Sequence, residues 1–203
     1  MKKKFMTFLL TASVLLLLPV LIFIFRIRNS VKITARSTIL PCSVIYFQQK
    51  DPEWGDNTLG SSSFTMSSSG CLTTCLAAEI QMQYPEISEP FTPGQLNSFF
   101  SQSHVYDREG NILWDCLEQA TSLTVVRKNA NALDTRELES LLENNCFPIL
   151  RVRVNSLGSF HYVLLTGCKD GEFLCMDPLN EKAEAVPLSN FGNRIYGIRY
   201  VLL

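Results

Sequence analysis

Cys71 sits in the run Gly70-Cys71-Leu72-Thr73-Thr74-Cys75-Leu76-Ala77-Ala78, His161 opens a late apolar stretch, and Asp177 closes the next one. A thiol, an imidazole and a carboxylate in that order are the parts of a thiol hydrolase. The thiolate is the nucleophile, so a reactive cysteine needs surroundings that favour negative charge. A helix N-terminus offers unpaired N–H groups and the positive end of the helix dipole, and the glycine and serines before Cys71 place it there. Cys75, one turn deeper, is expected to be a buried core residue. His161 is the base that would hold the thiolate as an ion pair and protonate the leaving amine. The only other histidine, His104, reads as a surface loop residue. Asp177 would orient the imidazole and fix its tautomer. The oxyanion of a tetrahedral intermediate needs donors, which the cysteine N–H and a glutamine side chain can supply. Gln48 and Gln49 both lie at the end of a candidate strand, and spacing does not choose between them.

Positioning these groups requires a helix over 71–83 with Leu72, Cys75, Leu76 and Ile80 on its apolar side, stopped before Pro85. Further helices are expected over 93–101, 113–121 and 134–144, the last opened by an Asp134/Glu137 capping box. Strands are expected over 44–47, 147–154, 160–168, 172–177 and 194–202. The stretch 59–70, with two serine triplets, reads as a solvated loop that also forms one rim of a cleft. Helices first and an antiparallel sheet afterwards give an α+β fold. Lys169-Asp170-Gly171 suits a three-residue hairpin loop with Gly171 left-handed. Cys168 then faces Glu172 and Asp177 faces Val163, which leaves His161 and Asp177 diagonal neighbours on one face. The same register puts Cys168 and Cys175 on opposite faces. A two-residue loop would separate His161 from Asp177 instead.

Residues 5–25 are 21 consecutive uncharged residues, preceded by Lys2, Lys3 and Lys4 and followed by Arg26 and Arg28. That length spans a bilayer, and no small-x-small cleavage site follows closely. The expectation is a transmembrane signal anchor over 1–28, a juxtamembrane stalk or first strand over 29–40, and one folded domain over 41–203 outside the cytoplasm, on the cell membrane. Five of the 18 basic residues flank the anchor and all 19 acidic ones lie beyond it, so the exported part carries six more acidic than basic residues. That balance excludes a basic nucleic-acid groove. Seven cysteines allow disulfides with one free thiol left over, or small core residues. Cys71, Cys75, His161 and Cys168 lack zinc-ligand spacing, and neither a metal nor a cofactor is expected.

The ordered set Tyr46-Phe47-Gln48-Gln49-Lys50-Asp51-Pro52-Glu53-Trp54-Gly55, Gly70-Cys71, Leu113-Trp114, Pro148-Ile149, His161 to Gly167 and Asp177-Pro178 resembles the stand-alone branch of cysteine peptidase family thirty-nine. These papain-like proteins are related to double-glycine leader peptidases. The resemblance implies a papain-like fold in which the helical N-terminal part carries Cys71 as nucleophile and the C-terminal sheet carries His161 as base and Asp177 as orienting acid. It also implies Gln49 rather than Gln48 as oxyanion donor. The position after the cysteine, often glycine in the family, is Leu72, which narrows the cleft. The expected activity is a membrane-anchored cysteine peptidase, acting as a monomer on a peptide or protein substrate through an acyl-enzyme. The alternatives are an amide hydrolase or acyl transferase with the same triad, and a peptide-binding module that keeps the fold without turnover.

Overall fold

The computed structural model describes residues 21, 23–86 and 91–203. All but the last few residues of the expected membrane span therefore lie outside the described residues. Among those described, no helix is long and apolar enough to cross a membrane.

The late part of the chain forms one antiparallel six-stranded sheet. Its strands are β2 (Thr124–Asn129), β3 (Ile149–Arg153), β4 (Phe160–Lys169), β5 (Glu172–Met176), β6 (Val186–Pro187) and β8 (Gly197–Leu202). The spatial order is β2-β8-β3-β4-β5-β6. A second, two-stranded sheet joins β1 (Val31–Lys32) to β7 (Arg194–Ile195). From Val163 to Cys168 every residue of β4 is buried, as expected where both faces of a strand are covered. Leu150, Val163, Leu164 and Leu165 are wholly excluded from solvent, and each contributes about 1.5–3 kcal/mol of burial.

Before the sheet come the helices α1 (Met66–Ser69), α2 (Cys71–Gln83), α3 (Pro93–Gln102) and α4 (Trp114–Thr121), and between β2 and β3 lies α5 (Thr135–Glu143). The central helix α2 is buried on every side from Thr73 to Gln81, so it is a core rod rather than the one-sided helix its apolar spacing suggests. The capping box expected at Asp134 is half made. Asp134 accepts the Glu137 N–H at 2.9 Å, but the Glu137 carboxylate pairs with Lys128.

Two expectations about strands, over 44–47 and over 194–202, are corrected. Residues 44–47 form no strand. Of the two alternatives for 29–40, stalk or first strand, the structure has the strand: β1 pairs with β7, Ile39 bridges Cys168, and Ile33 and Ala35 are buried. The expected strand over 194–202 is broken at Tyr196, just before Gly197, whose φ is 155° and whose Cβ, if it had one, would lie 2.8 Å from the Lys128 carbonyl oxygen. Only glycine fits there. The break lets Arg194–Ile195 pair with β1 while β8 pairs with β2 and β3.

Candidate active site

Cys71 is positioned by what precedes it. Thr65 caps α1 reciprocally: its side chain accepts the Ser68 N–H at 3.3 Å, and the Ser68 hydroxyl accepts the Thr65 N–H at 2.9 Å. The serine-rich stretch is thus a capped turn that buries Met66 at its start. Gly70 both closes α1, donating to the Met66 carbonyl at 2.8 Å, and opens α2, accepting from the Thr74 N–H at 2.9 Å. A Cβ on Gly70 would lie 2.6 Å from the Met66 carbonyl oxygen, so the tight passage between the helices demands glycine. Cys71 is then the first residue of α2, half-buried, on the wall of a cleft of about 670 Å³ that Leu59, Phe64, Leu72, Trp114 and Tyr162 also line. No side chain caps the helix, so its first N–H groups stay available.

His161 and Asp177 meet by a route different from the one expected. The β4–β5 loop has two residues, Asp170 and Gly171, both left-handed, and Lys169 faces Glu172. Alone, that loop would separate the pair. A bulge between Leu165 and Gly167 adds one residue to β4 and shifts the register back, so that Leu164 faces Met176 and Asp177 falls opposite Val163. His161 Nε2 and Asp177 Oδ1 are 2.7 Å apart. The same carboxylate oxygen accepts the Leu179 N–H at 2.9 Å, which holds it in place. The shifted loop also puts Cys168, opposite Phe173, on the same face as Cys175, against expectation, yet both thiols are free. All seven cysteines carry free thiols.

The imidazole is 3% exposed. Burial lowers its proton affinity, but hydrogen bonds to Asp177 and to the Cys71 side chain raise it, and the pKa rises to about 9. With Nε2 engaged by Asp177, Nδ1 is the nitrogen left for the sulfur. A histidine protonated at neutral pH beside a thiol favours the thiolate. Cys75 contrasts with this. It is wholly buried, its thiol lies 3.5 Å from the Tyr162 carbonyl, and desolvation, with the negative charge of Cys71 and Asp177, pushes its pKa well up.

The two glutamines diverge. Gln48 donates from the surface to the Glu181 carbonyl at 2.7 Å. Gln49 is 3% exposed, its N–H donates to the Pro178 carbonyl beside Asp177 at 2.9 Å, and its Nε2 donates to the Ser67 carbonyl at 2.8 Å. That bond fixes which end of the amide is nitrogen and leaves its second N–H unassigned. His104 lies exposed in a loop with φ 54°. No cluster of potential metal ligands occurs among the described residues. Reading by motif missed Tyr162 and Arg199 on the cleft wall.

A cysteine that opens a helix thus lies beside a histidine on β4 and an aspartate that directly follows β5. No family model matches the chain, and no curated protein matches it in sequence. A solved structure does: the crystal structure of a Bacillus anthracis protein described provisionally as a C39-like peptidase aligns over 83% of this chain and 99% of its own, with a TM-score of 0.53 and 16% identity. At that identity the likeness defines the fold, which is C39-like.

Proposed function

We propose that the protein is a cysteine peptidase in which Cys71, His161, Asp177 and Gln49 act together. The observation that carries this is the bond between buried His161 and half-buried Asp177, with Cys71 at the same ring. The Cys71 thiolate attacks the scissile carbonyl carbon, and the resulting oxyanion takes hydrogen bonds from the Cys71 N–H and the free N–H of Gln49 Nε2. As the C–N bond breaks, the His161 imidazolium gives its proton to the leaving amine and is left neutral. The neutral ring then takes a proton from water, which attacks the acyl-enzyme carbon. Collapse releases the acid and restores the ion pair. Asp177 stays ionised throughout, holding the tautomer with Nε2 as donor.

The likeness in fold to a C39-like peptidase supports the same reading. The 21 uncharged residues over 5–25 support a tether that holds the domain at the outer face of the cell membrane. The test is incubation of the full chain with a mixed peptide library and mass spectrometry of the products, beside Cys71→Ala. New termini that vanish in the variant are expected; products equal in both would overturn the proposal. Added hydroxylamine separates hydrolysis from acyl transfer, because a transferase yields mainly hydroxamates.

A further inference from the structure

The sheet carries a second group of charged side chains that the chemistry above does not use. Arg127 faces Arg199 across β2 and β8, while Arg151 faces Gly197 across β3 and β8 and Tyr162 across β3 and β4. By strand alternation Arg127, Arg199, Arg151 and Tyr162 share one face. Further along that face the corresponding positions are Ile149, Leu164 and Val201, all buried and apolar. The arginines thus replace core residues where the face opens into the cleft.

Among the described residues none of these three guanidinium groups has a carboxylate partner or a hydrogen bond. The Nε atoms of Arg151 and Arg199 are excluded from solvent with no acceptor. Each guanidinium instead leans on an aromatic ring: Arg151 over Phe160 at 3.6 Å, Arg199 over Tyr162 at 4.8 Å, Arg127 over Trp114 at 5.9 Å. Stacking orients a guanidinium and leaves its N–H edge free for an anion. In an acidic domain, three like charges gathered without counter-charges are a costly arrangement unless a ligand neutralises them. Arg199 lines the same cleft as Cys71, and a contiguous hollow of about 350 Å³ is lined by Arg127, Arg151 and Arg199.

We propose that this arginine face, together with Tyr162 and Trp114, is a substrate subsite that binds acidic side chains of the peptide being cleaved. This rests on the peptidase reading and names its substrate class. By the same alternation His161 projects from the opposite face of β4, so the arginines meet the cleft through Tyr162 and Arg199, which line it together with Cys71. An extended peptide seated on Cys71 and running along that wall brings its acidic residues to the arginines on one side of the scissile bond. An anionic lipid headgroup would find the same chemistry near Arg151, where a second hollow also reaches Arg28. The peptide is favoured because Arg199 and Cys71 share one wall.

The test has a binding arm and a cleavage arm, both with the full chain in zwitterionic detergent. In the first, N-acetyl hexaglutamate amide is titrated into Cys71→Ala by calorimetry, with hexalysine amide as control. Saturable binding is expected for hexaglutamate alone, weakened about tenfold or more in Arg151→Gln/Arg199→Gln and weakened by added salt. Arg127→Gln, whose side chain is exposed, serves as the second variant should the double variant lose its circular-dichroism spectrum; a few-fold weakening is expected. In the second arm, library products of the parent chain are expected to carry Asp or Glu at fixed positions near the cut, a bias lost in the arginine variants. Undetectable hexaglutamate binding, or binding unchanged in folded variants, would overturn the subsite. So would binding to phosphatidylglycerol vesicles, but not to hexaglutamate, that the variants lose, which would assign the face to lipid. Cleavage without acidic bias refutes the subsite and leaves the peptidase reading standing; hexaglutamate binding without any cleavage does the reverse.

Discussion

Cys71 and Cys75 lie one turn apart on the same helix, and their surroundings set them to opposite chemistry. The first turn of α2 opens on a cleft, with free N–H groups and an imidazole beside the sulfur. The second turn is sealed, its thiol turned to the Tyr162 carbonyl and desolvation opposing ionisation. A further turn in, Glu79 is also sealed: one carboxyl oxygen accepts the Val201 N–H at 2.7 Å, the other has no partner, and burial holds its pKa well above the carboxylate range. The same helix thus opens on a cleft beside a cationic imidazole at its mouth and suppresses negative charge inside. What separates the two is access to water, the dipole end and a cation, all within about 6 Å of helix rise.

The largest way to break this contrast is to remove its reactive end. Cys71→Ala is expected to lower kcat/KM on a cleaved peptide by about 10³-fold or more, and His161→Ala by a similar amount, with the double variant little worse because the two act as a unit. Steady-state kinetics on matched, folded preparations decides it. Gln49→Ala is expected to cost about 10²–10³ in kcat with a smaller change in KM, as for loss of an oxyanion donor. Gln48→Ala should do neither.

A pH profile sharpens the same contrast. The pKa of His161 is raised to about 9, so the imidazolium and the ion pair it makes are present below that and lost above it. The activity is therefore expected to fall about tenfold per pH unit beyond 9. The stability contributed by the pair runs the same way, complete below the ordinary histidine pKa and lost as pH rises through 9. Glu79 tests the sealed end. Its raised carboxyl pKa means that the folded state holds the proton more tightly than the unfolded chain, so stability falls as pH rises above the ordinary carboxylate value. Glu79→Gln keeps an acceptor for Val201 and has no proton to lose, and its Tm advantage over the parent is expected to widen from pH 5 to pH 8. Cys75→Ala should leave kinetics unchanged and cost about 1 kcal/mol by urea unfolding, the smallest effect of the series.

The chemical groups were legible in the sequence because few residue types can do thiol chemistry and the chain holds only two histidines. Their geometry was less so. The His161–Asp177 contact was inferred from a three-residue loop that does not form; a two-residue loop and a bulge together restore the same pairing. The bulge sits where Ile39 bridges Cys168 and its carbonyl comes within 2.7 Å of where a Gly167 Cβ would be. No local pattern announces a contact between residues more than a hundred positions apart. Thr124–Asn129 went unread for a related reason. Its outward Arg127 and Lys128 blur the alternation, and the strand exists through its register with β8. In the same way, Arg151 and Arg199 lie far apart in the sequence and meet beside the cleft only through the pairing of β3 with β8.

The central claim, that Cys71 is armed by His161 while Cys75 is not, is tested most directly by alkylation. Full-length chain would be treated with iodoacetamide across pH 5–10, with and without His161→Ala, and modification at each cysteine quantified by mass spectrometry. The account predicts that Cys71 alone reacts well below pH 7, that this reactivity is lost in His161→Ala, and that Cys75 stays unmodified until the protein unfolds. Equal reactivity of Cys71 with and without His161, or reaction only near the pKa of a free thiol, would contradict it.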